Sequence, residues 1–227
     1  MRKLTIWAAA AFLTAISSLA SANIMYTFHA DGMTDSASQE ATAVFNFSSA
    51  NSFTLTLTNN VDPTADILSE LDGLMFSFTD TPLSLQLLSV APSSVVDCSA
   101  LPCQTITGNT PYYGWGASAS GGDITLGAGF TSPSDFTYHP YGIINQNFDG
   151  SKLNDPVYNP LLVGPVTYTF AMTGLDTVPE ISSTTFLFGK LPNPQSGIPV
   201  PEPNSLALLG AGLLAFVWAS RRKKVRT

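Results

Sequence analysis

The chain has few positive charges outside its two ends. Of nine lysines and arginines in 227 residues, only Lys152 and Lys190 lie between residues 23 and 199, where fifteen acidic residues give a formal charge of −13. This composition excludes nucleic-acid binding, because phosphate contacts need lysine and arginine. It also disfavours adhesion to anionic lipid. It is typical of a soluble extracellular domain that holds divalent cations or lies in a hydrated matrix.

Histidine is as scarce as positive charge. His29 and His139 are the only histidines, and neither lies in a metalloprotease or serine-hydrolase motif. We therefore predict no enzyme, no cofactor and no metal centre. A Ser-His-Asp triad stays open as an alternative, because its members can lie far apart in sequence. Paired carboxylates for glycoside hydrolysis also stay open.

Most acidic residues stand next to turn formers. Asp72-Gly73, Gly122-Asp123 and Asp149-Gly150 predict turns, since aspartate and glycine favour turn geometry. The alternative for the same turns is calcium binding through carboxylate and carbonyl oxygens, although no D-x-D-x-D-G loop is present.

Cysteine is nearly absent. Cys98 and Cys103, separated by Ser-Ala-Leu-Pro, are the only two. Outside the cytoplasm so close a pair favours a disulfide that closes a tight loop. The alternative, a redox or metal site, has neither C-x-x-C spacing nor partner ligands.

The N-terminus carries an export signal. Arg2 and Lys3 precede an apolar run, and Ala20-Ser21-Ala22 supplies a cleavage site. The pattern predicts a signal peptide over residues 1–22, handled by the Sec machinery and signal peptidase. An uncleaved N-terminal anchor is the alternative.

The C-terminus combines an apolar run with a basic end. The run covers about residues 205–220, roughly 24 Å of helix, which is shorter than a standard span. The cations that follow, within residues 221–227, are Arg221, Arg222, Lys223, Lys224 and Arg226. They predict one transmembrane helix with a cytoplasmic end, so that the body lies outside the inner membrane.

The motif Val200-Pro201-Glu202-Pro203 stands directly before this run. Together, residues 200–227 resemble the PEP-CTERM sorting tail of Gram-negative envelope proteins. The resemblance implies recognition of Pro201, Glu202 and Pro203 by an exosortase, a membrane-embedded cysteine protease, and cleavage near them. Such tails are also catalogued as an "ice-binding protein C-terminal" domain, a label that describes the sorting segment and not the body.

Residues 23–190 have the composition of a β protein, rich in Thr, Ser, Gly, Phe and Asn. Phe53, Leu55 and Leu57 alternate with threonines, which predicts a strand with one buried face. Short strands with frequent turns predict a single jelly-roll-like β-sandwich, with a closed barrel as the alternative. One short helix is predicted at residues 64–71, capped by Thr64. Residues 191–199, rich in Pro and Gly, predict a linker that spaces the body from the membrane.

Aromatic residues in the glycine-rich middle of the chain suggest a further role. Tyr112, Tyr113 and Trp115, with Tyr138 and Tyr141, are candidates for stacking on sugar rings. The alternative is packing within the core or loops.

The sequence as a whole therefore predicts an exported, non-catalytic cell-surface or extracellular-matrix protein. Its precursor would be held transiently in the inner membrane with the body in the periplasm, and exopolysaccharide is its candidate partner. A carbohydrate-binding module is the alternative function, and a secreted hydrolase is the least favoured.

Overall fold

The computed structural model describes residues 23–34, 37–107, 111–128, 140–189 and 193–200. Nearly all of the regular structure in these residues is strand, which confirms the mainly β prediction. The strands are β1 (Ile24–Thr34), β2 (Ala37–Ser49), β3 (Ser52–Asn59), β4 (Leu71–Phe78), β5 (Ser84–Asp97), β6 (Gln104–Thr105), β7 (Trp115–Ser120), β8 (Asp123–Ala128), β9 (Ile143–Ile144), β10 (Leu161–Thr173), β11 (Ile181–Phe188), β12 (Asn193–Ser196) and β13 (Ile198–Val200).

Hydrogen bonds join these strands into one continuous sheet. The main path is β12-β11-β4-β9-β10-β3-β2-β1-β13, with β5 also paired to β10 and β8 also paired to β4. The two-residue strand β9 is the junction, because it is antiparallel to β4 on one side and parallel to β10 on the other. The sheet therefore stays continuous where it passes from the β4 side to the β10 side.

The core is a cluster of phenylalanines between two groups of strands. Phe53 on β3 stacks on Phe170 of the neighbouring β10, with ring centroids 4.8 Å apart. Phe45 on β2 meets Phe76 on β4 at 5.0 Å, although these two strands are not neighbours in the sheet. The sheet must therefore fold over, so that the β2, β3 and β10 side faces the β4 side across the core.

The alternation in β3 produces the predicted burial pattern. Phe53, Leu55 and Leu57 are buried, and the threonines between them are half-buried on the other face. There Thr56 and Thr167 bring their hydroxyl oxygens to 3.2 Å across β3 and β10.

The helix predicted at residues 64–71 is wrong. Only Ile67–Ser69 turns, as one 3-10 turn, and Asp66 rather than Thr64 caps it by accepting a hydrogen bond from the Leu68 amide at 2.8 Å. Glu70 is already extended, with φ −70° and ψ 137°. Strand pairing of the chain from Leu71 onwards overrides the local helical pattern.

The linker predicted at residues 191–199 also differs from the structure. Within it, β12 pairs with β11 and β13 pairs with β1, so the segment covers both edges of the folded sheet. A strand pairs through its backbone groups, and so a segment without core side chains can still complete a sheet edge.

The two predicted membrane-inserting segments, residues 1–22 and about 205–220, lie outside the described residues. Within the described ranges, no helix has the length and apolar character that crossing a bilayer requires.

We expect Phe53→Ala to lower the free energy of unfolding by about 3–5 kcal/mol, because it opens a cavity among the packed rings. Denaturant unfolding followed by fluorescence measures the loss. Met33→Ala is the matched control, since Met33 is 71% exposed and its truncation should change stability by less than about 0.5 kcal/mol. Equal effects of the two substitutions would contradict the assigned core.

Candidate functional site

The strand that leads into the sorting motif is held in the sheet. In the antiparallel pairing of β13 with β1, Val200 lies opposite Thr27 and Ile198 opposite His29. The chain at Val200 therefore runs towards the N-terminal end of β1, where Asn23 follows the predicted signal peptide. The segment carrying the motif leaves the body at the same corner at which the mature chain would begin.

Residues 193–200, here called the C-terminal strap, are anchored by side chains as well as by pairing. The Gln195 side-chain amide donates to Gln39 Oε1 at 3.0 Å. Gln39 is buried and donates in turn to the Leu68 carbonyl at 3.1 Å. The Gly197 amide donates to the Thr184 carbonyl at 2.9 Å. A methyl group on Gly197 would overlap Thr184 Oγ1, so a larger residue there would force the buried Thr184 side chain to shift.

Of the predicted sorting residues, only Val200 is described, and it is 43% exposed in β13. Pro201, Glu202 and Pro203 lie outside the described residues, as does the basic end at residues 221–227.

The aromatic residues predicted to contact glycans do not share one surface. Trp115 is 3% exposed, and its ring centroid lies 5.0 Å from that of Tyr168. Its indole N–H donates to the Tyr141 carbonyl at 2.8 Å. Tyr113 is half-buried, with its ring 6.2 Å from that of Tyr141. Of Tyr112, Tyr113 and Trp115, only Tyr112 is exposed. Tyr138 lies outside the described residues. Core packing, the alternative reading, is therefore what the structure shows for Trp115.

The predicted disulfide between Cys98 and Cys103 is present. Cys98 is buried in a small second core with Leu153 and Leu161, and its amide donates to Asn159 Oδ1 at 2.7 Å. The bridge closes only its own loop, and the packing and hydrogen bond of Cys98 place that loop against residues 153–161, which lead into β10.

Sequence reasoning missed a pair of buried acids. The sequence predicts Asp72 in an Asp-Gly turn, but Asp72 lies in β4 and is 8% exposed, while Glu70 two residues before it is fully buried. Residues two apart in extended chain point to one face. Leu71 pairs with Ile143, which brings Gly142 alongside, and a methyl group on Gly142 would overlap both Glu70 Oε1 and Asp72 Oδ1. The two carboxyl groups therefore converge on one point.

These carboxyl groups are poorly satisfied. Within the described part of the chain, both carboxyl oxygens of Glu70 lack a hydrogen-bond partner, and so does Oδ1 of Asp72. Burial raises the pKa of Glu70 well above its usual range, the charge of Asp72 raises it further, and the backbone amide of Gly142 partly opposes the rise. Burial likewise raises the pKa of Asp72 well above its usual range.

One signal in the sequence points to this pair. In Ser69-Glu-Leu-Asp-Gly-Leu the acids alternate with neighbours as they would in a strand, and an apolar run follows at once. The alternation places both acids on one face, but it does not reveal that this face is buried.

The comparisons with known proteins concern the end of the chain. Residues 199–223 match the family model described as the PEP-CTERM protein-sorting motif. The motif implies an exported protein that is recognised by an exosortase-type protease and processed at the membrane. No curated protein and no solved structure matches the chain significantly.

We expect Gly197→Ala to loosen the C-terminal strap, because the added methyl group has no space beside Thr184. Hydrogen exchange at residues 193–200 should become faster while the central strands β3 and β10 keep their protection. Ser196→Ala, which adds no bulk at an exposed neighbour, is the control. Unchanged exchange in Gly197→Ala would contradict the close packing of the strap.

We expect reduction of the Cys98–Cys103 bridge to lower stability by only about 2 kcal/mol, since the closed loop is short. Denaturant unfolding with and without reductant measures the difference. The double variant Cys98→Ser, Cys103→Ser should match the reduced protein. A loss beyond about 4 kcal/mol would mean that the bridge supports more than its own loop.

Proposed function

We propose that this chain is an exported, non-catalytic surface or matrix protein whose C-terminal tail is removed by an exosortase-type protease. The match of residues 199–223 to the sorting motif carries the proposal. It is supported by the geometry at Val200, where the matched segment continues directly from a strand of the folded body.

The short connection between body and membrane strengthens this proposal. If the apolar run begins at Ser205, only residues 201–204 separate it from β13. Four extended residues reach at most about 14 Å. The folded body would therefore be held against the membrane surface, and its sorting motif would lie in the narrow gap where an embedded protease acts.

The body itself suits display rather than chemistry. Its strands pack around a phenylalanine core, and its excess of acidic residues keeps it hydrated and apart from anionic surfaces. We infer that, after removal of the tail, the body remains at the cell surface or in the extracellular matrix, with exopolysaccharide as its neighbour.

We expect Glu202→Ala to block processing, because it removes the only charge in the motif while leaving the described body unchanged. Mass spectrometry of the protein from cells should find a shortened C-terminus in the wild type and an intact one in the variant. Cells that lack the exosortase should give the same intact C-terminus.

The matched control is Glu180→Ala, which removes an exposed acid from the body. It should be processed like the wild type. An intact residue 227 in wild-type protein at its final location would refute the removal of the tail.

A further inference from the structure

The strand β13 overlaps the segment that matches the sorting motif. That match begins at residue 199, so Pro199 and Val200 belong both to the matched segment and to β13. In the folded body they lie opposite Phe28 and Thr27 of β1. Extended peptides are commonly bound through their backbone groups. A backbone group of β13 that pairs with β1 is therefore not free to pair with a protease.

The C-terminal strap is held unevenly along its length. β12 forms four residue pairs with β11, and its Gln195 is hydrogen-bonded to the buried Gln39 of β2. The amide of Gly197 donates to the Thr184 carbonyl. In the described part of the chain, β13 forms only three pairs, all with β1, and all three of its side chains are exposed. Local opening is easiest where little apolar surface is buried, so β13 is the part of the strap that opens most readily.

The length of chain between the body and the membrane changes when β13 opens. With β13 paired, residues 201–204 are the link to an apolar run that begins at Ser205, and they reach at most about 14 Å. With β13 released, the link is residues 198–204, which reach about 25 Å. The longer link leaves room for a protease between the folded body and the bilayer.

We infer that β13 leaves β1 before the tail is cut, so that the pairing of Ile198–Val200 controls the access of the protease to the motif. The inference rests on the proposed function, because it assumes that an exosortase-type protease takes the motif. β12 stays paired during this step, and Gly197 marks the boundary between the strand that stays and the strand that moves. The body remains folded while its last strand opens.

A disulfide between β1 and β13 tests the inference in cells that express the full chain. His29 and Ile198 lie opposite each other and outside the motif. Residues paired in antiparallel strands have Cα atoms about 4.5–5.5 Å apart, within the range of a disulfide. In His29→Cys with Ile198→Cys, the bridged precursor should be cut at least about tenfold more slowly than the wild type, because the open strand is no longer populated. Reduction of the bridge should restore cutting, and mass spectrometry of the C-terminus measures both rates.

The matched control places a disulfide elsewhere on β1. Met33 lies opposite Ser38 of β2, and both are exposed, so Met33→Cys with Ser38→Cys adds a bridge that leaves β13 free. This variant should be cut at the wild-type rate with and without reductant. Wild type treated with reductant controls for the loss of the Cys98–Cys103 bridge.

A variant without added cysteines should have the opposite effect. Ile198→Gly also lies outside the motif, and it weakens β13 because glycine in a strand lowers its stability. The population of open strand should rise. With the exosortase at a limiting level, the tail should then be cut about two- to fivefold faster than in the wild type.

The results separate this inference from the proposed function. If the wild type keeps residue 227, the proposed function fails, and this inference fails with it. If the wild type is cut and the bridged variant is cut at the same rate, only this inference is overturned. Slower or unchanged cutting of Ile198→Gly would also overturn it, because the paired strand would then present the motif. The same holds if the His29→Cys, Ile198→Cys variant stays uncut after reduction.

Discussion

The pairing of β13 with β1 is the constraint that connects the fold of this protein to its sorting. One short strand covers the β1 edge of the sheet, and the residue that ends it, Val200, begins the sorting motif. Pairing with β1 holds Val200, the first residue of the motif, in the sheet. The start of β1 lies at the same corner, so the first strand of the described body begins close to where its last strand ends. On the proposed function, the sheet itself orients the body towards the membrane.

The sequence predicts the parts of the fold that depend on side-chain periodicity. Phe53, Leu55 and Leu57 identify β3 and its buried face, because a strand that is half-buried must alternate. The strap escapes the same reasoning, since edge strands pair through the backbone and need no apolar pattern. The helix expected at residues 64–71 fails for a related reason: local propensity favours it, but the pairing of Leu71 with Phe188 on β11 and with Ile143 on β9 decides the conformation.

The candidate sites likewise differ in whether local sequence is enough to find them. The sorting motif and the disulfide are local in sequence, and the order of a few residues is enough to find them. The environment of Trp115 is not local, because it is set by Tyr168 and by the carbonyl of Tyr141, both distant in the chain. The pair Glu70 and Asp72 is adjacent in sequence, yet its burial depends on Gly142 seventy residues later, which no pattern around Asp72-Gly73 encodes.

The shortage of positive charge, visible in composition alone, bears on the ionisation of the buried pair Glu70 and Asp72. In a body with more lysine and arginine, an adjacent cation would satisfy two buried carboxylates as an internal ion pair. Here the only lysine among the described residues, Lys152, is exposed in a turn. Burial raises the pKa of both carboxyl groups and so favours their neutral forms. The folded state then holds protons that the unfolded state has released, so the contribution of the pair to stability declines as the pH rises above the usual carboxyl range.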